Sequence, residues 1–155
     1  MYANRDSEEG FSLIELMTVI GIIAILTAIM LPNFLGSKRP AQDRQAQGLL
    51  KNGATVVRMV SVDLVAPTAA GLAAAEPELE IVSAATPAVS NARSVSVEGG
   101  TAGGDWYLVM ASGSLSGRCF AVMERPARAT SFQRVTSATC QADQFDPAVG
   151  WSEAW

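Results

Sequence analysis

Residues 10–38 read GFSLIELMTVIGIIAILTAIMLPNFLGSK, an apolar run in which Glu15 is the one ionisable side chain before Lys38. The 21 residues from Phe11 to Leu31 would extend ~31 Å as a helix, close to the thickness of the hydrocarbon core of a bilayer. The run therefore predicts a membrane-spanning helix.

Glu15 is the unusual residue of this run. A carboxylate inside a membrane span costs about 2.5–3.5 kcal/mol at the centre and less near an end, so intramembrane acids are usually paired and functional. Because Glu15 lies one turn into the run, we expect a specific partner for its charge.

The sequence G-F-S-L-I-E, followed directly by the apolar run, resembles the processing site and N-terminal segment of bacterial type IV pilins and of the pseudopilins of type II secretion. The resemblance extends closely from Gly10 to about Gln47 and includes L-P-N-F-L-G-S-K-R. Beyond that point only the layout is similar.

The resemblance implies a role for several residues. Residues 1–10 would be a leader that a prepilin peptidase removes by cutting between Gly10 and Phe11, after which the new Phe11 amine would be methylated. In the filaments of this family Glu15 would face the N-terminal ammonium of a neighbouring subunit. Attraction between these two charges in a low-dielectric core would fix the register of the subunits. Pro32 would let the helix bend or partly melt, and a simple helix kink at the membrane surface is the alternative.

The charges around the span depart from the family pattern. The leader carries Arg5 against three acidic residues, whereas such leaders commonly end in a basic residue before the glycine. Lys38, Arg39 and Arg44 follow the span, and a strict count of positive charges would place the C-terminal part inside the cell. From the processing motif and the cysteines we expect that part outside, on a single-pass protein of the cytoplasmic membrane that later joins a cell-surface pilus.

The rest of the chain is long enough for one globular domain. We expect residues 11–35 to form the membrane and assembly helix and residues 36–155 an exported head. The head would contain a helix continuation over 36–65, a connecting loop over 66–92, and a sheet and disulfide region over 93–155. The continuation is predicted from an apolar stripe typical of a helix on a sheet, formed by Ala46, Leu49, Leu50, Gly53, Val56, Val57, Val60 and Leu64.

Turn and strand signals follow the helix. Ala66-Pro67 marks its end, and Thr68 to Val82 indicates a short helix and a loop. Three segments alternate or are rich in aromatic and branched residues, and a fourth is less regular; these are Ser94–Glu98, Trp106–Ala111, Arg118–Glu124 and Ser131–Thr136, with turns expected at Gly99-Gly100, Gly103-Gly104 and 113–117. The predicted fold class is α+β, with the long helix packed on an antiparallel sheet of three to four strands, as in pilins.

Two cysteines, Cys119 and Cys140, lie in the C-terminal third. In an exported domain we expect them to form one disulfide, which would close a loop of about 22 residues and stabilise the fold by roughly 3 kcal/mol on the chain-entropy model. Two free thiols are the alternative. The chain has no histidine and no C-x-x-C, so a metal site of the zinc type is not indicated.

Catalytic and nucleic-acid functions find little support. Without histidine, the Ser-His-Asp and Cys-His arrangements cannot form, and the glycine-rich G-G-T-A-G-G lacks the G-K-[ST] of a phosphate loop. Asp143 and Asp146 could contribute to a calcium site, as in the C-terminal region of major pseudopilins, although two carboxylates are too few to predict it. A basic patch of Arg118, Arg125, Arg128 and Arg134 is the alternative to solvated strand faces.

The sequence hypothesis is a non-enzymatic structural subunit of a type IV pilus, without a cofactor. Its partners would be copies of itself or other pilins, the prepilin peptidase and methyltransferase, an assembly platform with a separate ATPase, and the membrane, but not nucleic acid. The alternatives are a pseudopilin of a type II secretion system and a membrane-anchored binding protein that does not polymerise. Nothing in the sequence distinguishes a major from a minor subunit.

Overall fold

The computed structural model describes residues 10–61, 67–88, 93–137 and 139–155. Residues 1–9 of the expected leader and the expected end of the first helix near Val65 lie outside these ranges. The chain divides into two compact units, one up to Lys38 and one from Arg39 to Trp155.

Helix α1, Leu13–Val60, enters both units. Its segment Leu13–Pro32 has a mean hydropathy of 2.5 and no buried residue, and by length and composition it is able to cross a membrane. Pro32 lies inside the helix, which continues on both sides of it, as it also does around Pro40. The predicted bend at Pro32 therefore stays a prediction.

In the second unit, α1 packs through the predicted stripe. Leu50 and Val57 are completely buried, Ala46 is almost so, and Leu49 and Val56 are partly buried. The stripe ends earlier than expected, because Val60 is 43% exposed. Leu64 lies outside the described residues.

The sheet of the head has five strands in the order β1-β2-β3-β4-β5. A short helix α2, Ala69–Ala75, precedes it, and Thr68 caps that helix by accepting a hydrogen bond from the Gly71 N–H. The strands are β1 Glu80–Ser83, β2 Ser94–Ala102, β3 Asp105–Gly113, β4 Arg118–Glu124 and β5 Ser131–Thr136, and a 3-10 helix spans Ala142–Gln144.

The α+β prediction is confirmed, but the sheet is larger than expected. Strands β2 to β5 pair antiparallel, as predicted, whereas β1 pairs parallel to β2 and makes the sheet mixed. β1 gives little signal in the sequence because it has four residues, of which Ile81 and Val82 are both half-buried, so burial does not alternate.

The turn expected at Gly99-Gly100 is wrong, because both glycines lie inside β2. Gly100 pairs with Tyr107 of β3, and a Cβ atom at Gly100 would lie 2.5 Å from the Tyr107 hydroxyl oxygen. The glycine makes room for that ring. The turn occurs instead at Gly103 and Gly104, whose φ angles are +65° and +91°.

The sheet has a hydrophobic core on each face. On the α1 side, Leu50 and Val57 pack with Val95, Leu108, Met110 and Phe120, and the Trp155 ring lies 5.1 Å from that of Phe120. On the other side, the chain around the 3-10 helix covers a second cluster, built from Val109, Ala111, Cys119, Ala121, Met123, Cys140, Ala142 and Phe145.

Candidate assembly site

Glu15 begins α1 as part of a capping box. Its carboxylate oxygen Oε2 accepts a hydrogen bond of 2.9 Å from the Ser12 backbone N–H, and its own N–H donates to Ser12 Oγ at 3.2 Å. This reciprocal arrangement, S-x-x-E, satisfies two of the N–H groups that a helix start leaves without partners. The sequence S-L-I-E carries this signal of a helix start, which was not among the features predicted from the sequence.

The apolar side chains of the first unit are exposed around the whole helix. Leu13 is 78% exposed and Leu26 is 55% exposed, and every other large aliphatic side chain from residue 13 to residue 31 is at least 49% exposed. A contiguous apolar surface of this kind marks a contact with lipid or with another protein. Its members are Phe11, Leu13, Ile14, Leu16, Met17, Val19, Ile20, Ile22, Ile23, Ile25, Leu26, Ile29, Met30 and Leu31.

The polar side chains within this surface are satisfied inside the helix. Thr18 Oγ1 donates to the Ile14 carbonyl at 2.8 Å, and Thr27 Oγ1 donates to the Ile23 carbonyl at 2.7 Å. Such bonds let a hydroxyl remain in an apolar environment without an external partner. Near the end of the run, Lys38 Nζ lies 5.3 Å from the centre of the Phe34 ring.

The disulfide prediction is confirmed. Cys119 of β4 is bonded to Cys140, with their Cα atoms 5.3 Å apart. Both residues are buried in the core on the face of the sheet opposite α1. The bond therefore ties the C-terminal segment to β4.

The two aspartates considered for calcium have other contacts. Asp146 Oδ1 accepts a hydrogen bond of 2.8 Å from the Ala148 N–H and stabilises a turn. The pKa of Glu98 is raised by its burial and, to a lesser extent, by the charge of Asp143, so these two acids lie near each other. Within the described residues, no group of three or more side chains suited to a metal ion occurs.

Three of the four arginines considered as a basic patch have separate partners. Arg118 Nη1 lies 2.7 Å from Asp43 Oδ2, Arg128 lies 3.8 Å from Asp105, and Arg125 donates to the Pro147 carbonyl. The fourth, Arg134, is exposed. The structure therefore distributes these charges among different local contacts.

Two buried carboxylates that the sequence pattern did not predict hold α1 on the sheet. The first is Asp43, which is 5% exposed and accepts hydrogen bonds from Ser114 Oγ at 2.8 Å, from Ser116 Oγ and from Arg118. Burial alone would raise its pKa, but the hydrogen bonds from Ser116, Ser114 and Arg118, with the positive charge of Arg118, bring the pKa below its ordinary value. Asp43 lies three residues before Ala46, on the same side of the helix.

The second buried carboxylate is Glu124, at the end of β4. It is 1% exposed and accepts hydrogen bonds from Arg58 Nε at 2.9 Å and from Thr130 Oγ1 at 2.6 Å. A buried carboxylate is tolerated when its oxygens are paired in this way. Asp43 and Glu124 thus fix opposite ends of the head portion of α1.

Comparison with known proteins assigns the N-terminal segment. Residues 5–31 match the family model described as the prokaryotic N-terminal methylation motif. The N-terminal segment is of the prepilin type. This confirms the resemblance to type IV pilins and pseudopilins for the part of the chain that contains Gly10, Phe11 and Glu15.

Relatives of the prepilin-type segment occur in two systems. The chain is 40% identical over 55 residues to the type IV wide pilus major component PilA4 of Thermus thermophilus, covering 36% of this chain and 42% of that protein. It is 42% identical over 41 residues to the type II secretion system core protein G of Escherichia coli and 49% identical over 41 residues to that of Klebsiella michiganensis, covering 26% of this chain and 28% of each relative. The matches thus span less than half of the relatives' lengths. No solved structure matches the chain significantly.

Proposed function

We propose that this protein is a structural subunit of a type IV pilus. The observation that carries the proposal is an exposed apolar helix, Leu13–Pro32, directly behind a prepilin-type processing motif and bearing Glu15 in its first turn. Lipid would cover this surface in a single-pass precursor of the cytoplasmic membrane. Neighbouring copies would cover it in the cell-surface filament.

Processing would create the charge that Glu15 meets. A prepilin peptidase would cut between Gly10 and Phe11 and leave an ammonium group on Phe11, which a methyltransferase would methylate. A carboxylate and an ammonium attract strongly in an apolar core, whereas either group buried alone is unfavourable. Glu15 would therefore pair with the Phe11 ammonium of a neighbouring copy and set the register of the filament.

The energy for extraction from the membrane would come from elsewhere. Moving the helix from lipid into a bundle of similar helices exchanges one apolar environment for another, so packing and paired polar groups must favour assembly. An assembly platform and a separate ATPase would drive the exchange. The proposed subunit is structural and has no enzymatic role.

The mass of the mature protein tests the processing step. We expect protein isolated from its native host to begin at Phe11 and to carry one additional methyl group on that residue. The variant Gly10→Leu, which enlarges the residue before the cut, should accumulate with its leader intact. A wild-type protein that retains Met1 in its membrane would favour the non-polymerising, membrane-anchored alternative.

Substitution of Glu15 tests the assembly step. Glu15→Ala should enter the membrane and be processed, but it should form few or no filaments, because the neighbouring ammonium loses its partner. Glu15→Asp, which keeps the charge, should retain part of the assembly that Glu15→Ala loses. Filaments of normal number and length with alanine would contradict the proposed role of Glu15.

A pseudopilin of a type II secretion system is the second candidate, because two of the relatives are core proteins of that system. Deletion of the gene separates the two functions. Loss of surface filaments with normal protein secretion would support the pilus, whereas loss of secreted proteins without loss of surface filaments would support the pseudopilin. Calcium binding through Asp143 or Asp146 would also favour the pseudopilin.

A further inference from the structure

The head portion of α1 has a groove along each flank, and the two grooves differ in charge. The first, which we call the basic groove, has a volume of about 210 Å³ and is lined by Lys51, Ala54, Thr55, Arg58, Thr130 and Phe132. The second, the acidic groove, has a volume of about 270 Å³ and is lined by Leu49, Asn52, Glu76, Glu78, Leu79 and Arg93.

The basic groove holds positive charge that the head does not neutralise. The Lys51 ammonium lies 6.0 Å from the centre of the Phe132 ring, and no ion pair of Lys51 occurs within the described ranges. Arg134 lies two residues after Phe132, on the same face of β5, and is exposed. Arg58 contributes less, because Glu124 neutralises it at 2.9 Å.

The acidic groove belongs to the other side of the head. Glu76 and Glu78 follow α2, and Glu80 begins β1, so three carboxylates occur within five residues. Arg93 lies 3.3 Å from Glu78 and neutralises that one. In the part of the chain that the structure describes, Glu76 and Glu80 have no ion pair.

The sheet keeps the two charged regions apart. Phe132 and Arg134 belong to β5 at one edge, and Glu80 belongs to β1 at the other. Adjacent strands are about 4.8 Å apart, so four spacings separate the edges by roughly 19 Å, beyond the reach of an Arg134–Glu80 ion pair within one head. The same contact between two heads is free of that restriction.

We infer that the acidic groove of one copy binds the basic groove of the next, with Lys51 and Arg134 facing the carboxylates of Glu76 and Glu80. The inference rests on the proposed function and adds a contact between heads to the contact between apolar helices. Because the two surfaces differ, the interface is heterologous, so its repetition gives a ring or an open helical polymer rather than a closed dimer, and the proposed filament corresponds to the open form. Charge complementarity also disfavours wrong orientations.

Carbodiimide coupling tests this contact, because it joins an amine to a carboxylate only where the two already touch. The chain has two lysines, Lys38 and Lys51, so the products are few. In sheared native filaments we expect Lys51 linked to Glu76 or Glu80. Filaments assembled from a mixture of light and nitrogen-15-labelled copies should give mixed-isotope linked peptides, which identify links between copies.

A variant that keeps the charge of Lys51 but lacks its amine tests whether the link forms at this residue. Lys51→Arg keeps the positive charge but cannot form the amide, so it should assemble normally and lose the Lys51 link. Filaments in which wild-type Lys51 forms no link to these glutamates, or links them only within one copy, would overturn the inference while leaving the filament role intact. Absence of filaments from the wild type in its native host would overturn both.

Charge reversal supplies an independent measurement. The double variant Lys51→Glu, Arg134→Glu should assemble poorly alone but co-assemble with the double variant Glu76→Lys, Glu80→Lys, because the charges are complementary again. Arg128→Glu is the control, since Arg128 is exposed, lines neither groove and is not among the four charged residues of the inferred contact. The Debye length falls from about 10 Å at 0.1 M salt to about 3 Å at 1 M, so the Lys51 link should also decrease with salt. Normal assembly of the first double variant alone would contradict the inference.

Discussion

The two parts of α1 differ in how their polar residues are placed. Residues 13–32 are apolar on every side, and Glu15 and the threonines are satisfied by bonds within the helix. Residues 39–60 bury one face and place Asp43 and Arg58 where they reach side chains of the sheet. The side chains of the first part are thus available for contacts outside the chain, whereas those of the second part are fixed by contacts with the sheet.

The largest expected difference lies in the core contacts of these two parts. Leu50→Ala should lower the free energy of unfolding of the head by about 2–5 kcal/mol, because Leu50 is completely buried and truncation leaves a cavity. Leu26→Ala should leave it unchanged, since Leu26 is 55% exposed. The measurement is denaturant unfolding in detergent, followed by tryptophan fluorescence, since all three tryptophans belong to the head. Equal losses in the two variants would show that the two parts do not differ as proposed.

The secondary structure of the head could largely be predicted from its sequence. The bounds of β4 and β5 agree with those predicted, because branched and aromatic residues end there at turn-forming residues. β1 was missed because its pairing with β2 is parallel and its four residues carry no alternation. Gly99 and Gly100 were misread because their place opposite Tyr107 and Leu108 depends on the pairing of β2 with β3.

Only some of the polar contacts could be predicted from the sequence. The capping box of Ser12 and Glu15 lies within four residues and could have been predicted from the pattern alone. The contact of Asp43 with Ser114 joins residues 71 positions apart, and that of Arg58 with Glu124 joins residues 66 apart. Contacts over such separations depend on the tertiary fold, which a single sequence does not reveal.

The second expected effect concerns the disulfide. The double variant Cys119→Ala, Cys140→Ala should lower the free energy of unfolding by roughly 3 kcal/mol, because the bond closes a loop of about 22 residues. The apolar helix has no such covalent constraint. Chemical denaturation of the variant, compared with oxidised wild type, measures the effect. Agreement between the variant and reduced wild type is the control, and a stability equal to that of the oxidised wild type would contradict the expectation.

A smaller effect is expected at Asp43. Asp43→Asn should cost about 1–3 kcal/mol, because buried Ser114 and its neighbours Ser116 and Arg118 lose a charged acceptor. Asp105→Asn is the matched control and should change stability by less than about 1 kcal/mol, since the Asp105–Arg128 pair is exposed. Denaturant unfolding at neutral pH compares the two, and equal effects would contradict the assigned role of Asp43.

The Asp43 contact also predicts the direction in which the stability of the head changes with pH. The pKa of Asp43 is lower in the folded protein than its ordinary value of 3.8. The folded state therefore binds this proton less readily, and the stabilisation is fully present above the ordinary value and lost as pH falls through the folded value. Asp43→Asn should flatten this part of the acid unfolding curve, and an unchanged curve would exclude Asp43 as its source.

The smallest expected effect concerns the start of α1. Ser12→Ala removes the hydroxyl that accepts from the Glu15 N–H, but it keeps the backbone N–H that donates to the Glu15 carboxylate. We expect faster hydrogen exchange at the Glu15 amide in detergent and an unchanged free energy of unfolding of the head. Thr27→Ala, whose hydroxyl bonds the Ile23 carbonyl farther along the helix, should leave this amide unaffected. Exchange at the Glu15 amide as slow in Ser12→Ala as in wild type would mean that the capping box does not order the helix start.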